Sequence, residues 1–386
     1  MNNPTALRVM LVDPSLFTGP YDAALTRGLI AAGVQPTWAV RPTRPGDRAD
    51  LEPEHTDAFF YRHVDGLAGL PGGLRAVAKG ASHIVGLAQL MFRVRRRRPD
   101  VVHFQWTVVP ALDALAMLFI RRHSTVVLTV HDTTPFNGDR LAWLQRAGYR
   151  WPMRVAQRVI VHTKEARRSL VAQGLSSVAI EVISHGPLRL RAHSPASARA
   201  ERDPRYTLVV FGELKAYKGI DVLIDALALL PDALRSRTKV LVTGRPRMDI
   251  APLLERIRLH GLQGVIELQP RRISEEEMAD LFARTDCFVF PYRNVDASGV
   301  YFLVRSMGRW IIASRVGVFA EAIEDGVEGD LVPPADAPAL SAALARAIVG
   351  RTKPASLPTP AGAEWDAIGS ATLAVYRAAR QPRGRS

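Results

Sequence analysis

Short runs of β-branched and aromatic residues alternate along this chain with stretches in which apolar residues recur at helical spacing. In the first half the runs are RVMLVD, PTWAV, DVVHFQW, TVVLTVHD, RVIVHT and EVISHG, each followed by a turn or a helix start. In the second half they are YTLVVFG, KVLVTG, VIELQP, DCFVFP and RWIIAS, with helices such as DVLIDALALL between them. Near-continuous apolar strands separated by helices predict parallel sheets covered on both faces. The pattern restarts once, so it predicts an α/β protein of two Rossmann-like, doubly wound domains with a cleft between them. The stretch HGPLRLRAHSPASARAERDPRY has no periodicity and reads as a linker near residues 187 to 205. The predicted division is 1–190, 191–365, and a C-terminal helix and tail, 366–386, able to pack back on the first domain. At the far end of the chain EWDAIGSATLAVYRAA is an amphipathic helix pattern and QPRGRS a frayed end.

Length agrees with this division, because 386 residues exceed what one hydrophobic core usually serves. The single cysteine, Cys287, excludes an intramolecular disulfide framework and a multi-cysteine metal site. MNNPTALRVMLVDPS reads as a first strand rather than a signal peptide. Leu74 to Phe92 contains Arg75, Lys79 and His83 and makes a poor membrane span. These features predict a cytoplasmic protein, soluble or peripheral.

Charge changes that picture on one side. Residues 1–200 carry 26 Lys and Arg against 14 Asp and Glu, whereas 201–386 carry 25 against 23, so most of the net +14 lies in the first half. Such asymmetry points to an anionic partner for that half. From Leu74 the apolar positions Val77, Ala78, Ala81, Ile84, Val85, Ala88, Met91 and Phe92 recur at helical spacing, with Leu87 and Leu90 off the stripe, and Arg93 and Arg95 to Arg98 follow. Two readings stand: an amphipathic helix for an anionic membrane surface, or a core-facing helix whose last arginines favour the helix dipole. Nucleic acid is not expected as a partner, for the basic run abuts a strand and no zinc spacing or RNA-binding aromatic motif accompanies it.

Three segments of the second half carry candidate chemistry. FGELKAYKG joins a strand to the helix beginning at Asp221, and its Lys215 and Lys218 lie where α/β proteins bind ligands, with charge enough for a diphosphate. In FPYRNVDASGV, Ser298 caps a helix and Gly299 and Val300 offer backbone N–H groups, which make either an anion site or an ordinary capped helix. The third segment runs from IIASRVG to IEDGVEGDLVPPAD.

In this order and spacing the segments resemble the family 4 glycosyltransferases, which have the two-domain fold called GT-B. FGELKAYKGIDVLIDAL is similar to the family's strand-loop-helix, and IEDGVEGDLVPPAD to its EDGxxGxLVPxxD segment; DVVHFQW, LTVHD, VIVHT and VISHG extend the likeness into the first half. The resemblance implies a retaining hexosyltransferase that uses a UDP- or GDP-linked donor and needs neither cofactor nor metal. It implies a hydroxyl acceptor on a polyprenyl-diphosphate-linked saccharide, at the inner face of the cytoplasmic membrane. Lys218 takes the place of the donor-phosphate lysine, Lys215 that of a second basic residue, and His131 that of the histidine near the transferred sugar. A satisfied strand-end histidine is the alternative for His131.

The chain departs from the family where two glutamates commonly stand, for Val295 and Leu303 occupy those places. Asp296 lies one residue from the first, and Arg272 after VIELQP is a candidate for the donor base. The loop from Leu16 to Asp22 stands where the family has its acceptor loop, with Gly19, Tyr21 and Asp22 as its candidate residues. A nucleotide-sugar epimerase or hydrolase of the same fold, and a non-catalytic nucleotide-sugar-binding subunit, are the competing functions.

Overall fold

The computed structural model describes residues 6–44, 47–62, 72–133, 148–190, 203–350 and 361–381. Most of the expected linker, 191–202, and all but the first residue of the expected tail lie outside them. Two compact units emerge: Met1–Gly186 together with Ala361–Ser386, and Pro187–Pro360.

The first unit holds a parallel sheet of seven strands, β1 Arg8–Asp13, β2 Gln35–Val40, β3 Thr56–Ala58, β4 Val101–Phe104, β5 Thr125–Val130, β6 Arg158–Val161 and β7 Ile180–Val182. Their order is β3-β2-β1-β4-β5-β6-β7. The order reverses between β1 and β4, so crossovers leave on opposite faces there and open a crevice at the carboxyl ends of the strands. Helices α1 (Gly19–Ala31) and Ala361–Arg380 pack on each other and on one face of the sheet. They approach so closely that a Cβ on Gly28 would stand 2.1 Å from the Trp365 carbonyl oxygen, and one on Gly369 would stand 2.0 Å from that of Gly28. Glycine is required at both places by this contact.

Helices α2 (Gly72–Arg97) and α3 (Pro110–Ile120) cover the other face. On α2 the residues in the core are His83, Gly86, Leu87, Leu90 and Val94. The reading that turned the Val77 stripe toward the core is therefore corrected: Val77 is 70%, Ile84 53% and Phe92 64% exposed. At about 100° per residue the exposed apolar line lies opposite the buried one, so the helix is apolar on two faces. Leu87 and Leu90, off the stripe read from sequence, belong to the inner face. Among the described residues no helix is long and apolar enough to cross a membrane.

The second unit repeats the plan with six parallel strands: β8 Tyr206–Phe211, β9 Thr238–Thr243, β10 Ile266–Gln269, β11 Cys287–Phe290, β12 Trp310–Ser314 and β13 Gly329–Val332. The order β10-β9-β8-β11-β12-β13 puts its switch point between β8 and β11. Helices Ile220–Ala228, Ala251–Leu259 and Ala337–Gly350 pack one face through Leu223, Ile257 and Leu344. Helices Glu275–Arg284, Gly299–Arg305 and Gly317–Ala322 pack the other through Phe282, Phe302 and Phe319.

Candidate functional site

At the switch point of the second unit the loop after β8 turns sharply. Gly212 has φ +100° and Gly219 φ +64°, and a Cβ on Gly219 would lie 1.9 Å from the Pro291 carbonyl oxygen, so no other residue fits there. The turn between them, Ala216–Lys218, is pinned from the loop after β11. Arg293 donates through Nη1 to the Ala216 carbonyl at 2.9 Å and through Nη2 to Asp221 Oδ2 at 2.6 Å, while its N–H reaches the Tyr217 carbonyl at 2.7 Å. Arg293 had no role assigned from sequence. Its partners lie more than seventy residues away, and only the fold brings them together.

This clamp buries Lys218 to 5% exposure. Its Nζ donates to the Phe211 carbonyl at 3.0 Å and stands 5.4 Å from the centre of the Tyr292 ring. Burial, and then the nearby Lys215 charge, pull its pKa from the usual lysine value down to about 7. A carbonyl and a ring compensate a buried ammonium incompletely, and an arriving anion restores what burial removed. A Cβ at Gly212 would come within 2.8 Å of Lys218 Nζ and 3.0 Å of Val300 Cγ2, so the glycine keeps open the space between them.

Of the residues expected here, Lys218 and Val300 thus converge on Gly212. Ser298 caps its helix, its Oγ accepting from the Tyr301 N–H at 3.4 Å, and Gly299 faces open space. Lys215 sits at the mouth and pairs with Glu213 at 3.4 Å, and Glu213 pairs with Arg247 at 2.9 Å. Asp296 is engaged through its carbonyl, which accepts from the Val318 N–H at 3.1 Å. Arg272 stands apart, exposed after β10, two strands from β8. Val295 and Leu303 pack against the apolar cluster under the site and bring no carboxylate to it.

In the first unit His131 follows β5, with its Nδ1 3.1 Å from His162 Nε2 and its Nε2 3.2 Å from Gln105 Oε1. His162 Nδ1 is 2.9 Å from the Ile183 carbonyl, which accepts only, so His162 keeps its proton there and accepts from His131 Nδ1–H. That order leaves His131 Nε2 without a proton, so it bonds Gln105 only with the amide turned to present its NH2 group. Burial and the neighbouring His162 hold His131 well below the usual imidazole pKa, and burial takes His162 down to about 4. Both rings are therefore neutral near pH 7. Gln105 and His162 escaped the sequence reading, for nothing local to either marks it as a partner of His131.

The loop after β1 comes to the same place. Thr18 Oγ1 donates to Asp22 Oδ1 at 3.1 Å and accepts from Trp106 Nε1–H at 3.0 Å, and the Trp106 ring stacks on His131 with centroids 4.8 Å apart. Asp22 is fully buried, and burial and then the charge of Asp13 raise its pKa well above the usual carboxylate value. Tyr21 is buried against His131, His162, His185 and Trp365. A Cβ on Gly19 would stand 2.7 Å from Asp50 Oδ2. These three expected residues support the loop from within, while Phe17 and Trp106 line the pocket beside His131.

Comparison with known proteins agrees with this architecture. The family model described as Glycosyltransferase Family 4 matches residues 23–186, and that described as Glycosyl transferases group 1 matches residues 205–349. The D-inositol 3-phosphate glycosyltransferase of Streptomyces avermitilis is 28% identical over 260 residues, which are 60% of this chain and 53% of that protein. The match thus spans about half the length of this relative. Glycogen synthase of Mycobacterium tuberculosis is 27% identical over 315 residues, 75% of this chain and 72% of its own. Among solved structures Anabaena HepE, in complex with UDP and glucose, matches 96% of this chain and 98% of its own at 17% identity and a TM-score of 0.65. That likeness shows the GT-B fold. Matched in succession through both of its sheets, the chain belongs to the family 4 glycosyltransferases.

Proposed function

We propose that the protein is a retaining hexosyltransferase that moves a sugar from a UDP- or GDP-linked donor to a hydroxyl of a polyprenyl-diphosphate-linked saccharide in surface polysaccharide synthesis. The observation that carries this reading is the buried, incompletely compensated ammonium of Lys218 at the carboxyl end of β8. As the bond from the anomeric carbon to the donor β-phosphate breaks, negative charge collects on the departing diphosphate, and fixed positive groups there contribute most to the rate. Lys218 has that role, with Lys215 and the N–H groups of Gly299 and Val300 beside it. Lysines and backbone amides supply the field that a bound cation supplies elsewhere, so no metal enters the scheme. The leaving phosphate oxygen takes the acceptor proton as the new glycosidic bond forms on the same face. The UDP and glucose bound to HepE, and the hexose polymer named in glycogen synthase, favour a nucleotide-linked hexose here.

The acceptor class is favoured by the outer face of α2. Val77, Ile84, Val85 and Phe92 are exposed on it, and the exposed Arg95 and Arg96 continue the line. An apolar stripe with cations at its end fits an anionic lipid surface, where each basic residue contributes about 1 kcal/mol. The protein should sediment with anionic vesicles, and Ile84→Glu with Phe92→Glu should release it; equal sedimentation of that variant would refute the membrane role.

Transfer itself is tested with nucleotide hexoses and membrane extract. The wild type should consume donor only with acceptor present, and Lys218→Ala should lower turnover about a hundredfold or more. Donor consumption without acceptor would instead identify an epimerase or hydrolase. Nucleotide binding without turnover would identify a binding subunit, the reading that Val295 and Leu303 favour.

A further inference from the structure

The loop after β8 carries a charge of the wrong sign for a diphosphate. Glu213 follows Gly212, the glycine that keeps the space beside Lys218 open, and precedes Lys215 at the mouth. Its Oε2 stands 3.4 Å from Lys215 Nζ, and its Oε1 accepts from Arg247 Nε at 2.9 Å. Partial burial works to raise its pKa, but the Arg247 hydrogen bond and the two cations outweigh it and hold the carboxyl below its usual range, so it is ionised at neutral pH. Its charge is felt within the cradle: burial and Lys215 lower the Lys218 pKa, and Glu213 works against them.

Holding the loop in shape does not account for this carboxylate, because the backbone already does so. The Leu214 N–H donates to the Arg245 carbonyl at 2.9 Å and the Arg247 N–H to the Leu214 carbonyl at 2.9 Å, so the loops after β8 and β9 run on side by side beyond their strands. A Cβ on Gly244 would stand 2.0 Å from the Gly212 carbonyl oxygen, and the bare glycine lets the two loops close up. The Glu213 and Arg247 side chains are each about half exposed, and an ion pair so exposed contributes little to stability. The larger effect of Glu213 is on the field at Lys218.

What that field does depends on the charge of the ligand. The diphosphate of a nucleotide sugar is esterified at both ends and carries about two negative charges at neutral pH, whereas the nucleoside diphosphate left after transfer has a free terminal phosphate and carries about three. A fixed carboxylate repels the second more than the first, and the added repulsion falls on the terminal phosphate.

We propose that Glu213 sets the preference of this site for donor over product, weakening its hold on the free nucleoside diphosphate so that the product leaves after transfer. Lys215 and Arg247 keep the carboxylate ionised and in place. The proposal rests on the glycosyltransferase reading above, and adds to it a residue that selects by charge between two ligands of the same site.

The test is calorimetric titration of UDP, UDP-glucose, GDP and GDP-mannose, at pH 7.5, into the intact wild type, Glu213→Gln and Glu255→Gln. Glutamine keeps the length of the side chain and removes its charge. Glu255, paired with Arg258 on the helix Ala251–Leu259, gives up the same charge elsewhere in the unit. In Glu213→Gln the free diphosphate should tighten by about threefold or more beyond any change in the matching nucleotide sugar, as one elementary charge at a solvent-facing rim requires. Glu255→Gln should leave both affinities unchanged. Equal changes for the two ligands in Glu213→Gln, weaker binding of the diphosphate, or the same shift of preference in Glu255→Gln would each overturn the proposal. Joint weakening of both ligands would show that the ion pair only shapes the loop. The wild type separates this proposal from the reading beneath it. Nucleotide binding with a preference that Glu213→Gln does not move removes the proposal alone, whereas a wild type that binds none of the four ligands removes the donor site and the proposal with it.

Discussion

Lys218 and His131 are both basic groups whose surroundings favour the neutral form, but the two differ in what fixes it. His131 is buried and gives its Nδ1 proton to His162, so its neutrality is settled by the protein. Lys218 has a carbonyl and a ring, so its charge state waits on what arrives. With its pKa near 7 in the free protein, a bound diphosphate must raise it, and binding above that pH takes up a proton. Calorimetry of UDP or GDP binding at pH 8, in buffers of different ionisation enthalpy, should show uptake of about one proton. At pH 6, where Lys218 is already mostly charged, the uptake should nearly vanish. Equal uptake at the two pH values would mean that Lys218 does not meet the phosphate.

At the scale of elements, the two loops of the proposed donor site are joined by Arg293, which holds the Lys218 turn at Ala216 and Tyr217 and the helix after it at Asp221. Arg293→Ala should raise the KM for donor about tenfold while leaving the unfolding midpoint within a few degrees, because the pair with Asp221 is partly solvent-exposed. An unchanged KM would show that the turn keeps its shape unaided. Helix α2 offers a paired test of its two apolar faces. Leu90→Ala, in the core, should destabilise by about 2 to 5 kcal/mol, and Val77→Ala, on the solvent side, by almost nothing. The elements also show how far sequence alone reaches. Central strands such as β1, β5 and β8 were legible because burial on both faces demands continuous apolar runs. Thr56–Ala58 and Gly329–Val332 were not read as strands, being short edges that are paired on one side only. On α2 the period was legible but its direction was not, for a helix apolar on two faces gives periodicity no means of choosing the inner one. Lys218 was legible from its place in a strand-loop-helix; Arg293, Gln105 and His162 were not, because their roles exist only through partners distant in the chain.

At the scale of the molecule the two units differ in what they bury. The first buries His103, His131, His162 and His185, all held below the ordinary imidazole pKa, with burial the main cause. The unfolded chain takes up protons at these sites as pH falls through about 6.5, while the folded unit does not until about 4 at His162 and about 3 at His103. Stability is therefore lost across that window on acidification. Asp13 and Asp22, whose pKa values are raised, act in the opposite sense and gain stability as pH falls. His103→Gln should reduce the loss between pH 7 and pH 5 by about 2 kcal/mol, read from denaturant midpoints at the two pH values. A loss of the same size in that variant would place the acid sensitivity elsewhere.

In the proposed function the carboxyl end of β8 grips a nucleoside diphosphate through Lys218. Calorimetric titration of UDP and GDP into wild type and Lys218→Ala, with circular dichroism to confirm the fold, tests it most directly. At least one nucleotide should bind the wild type, and bind the variant about tenfold to a hundredfold more weakly, as loss of a charged hydrogen bond to phosphate requires. Equal affinity in the two proteins, or no nucleotide binding to the wild type, would contradict it.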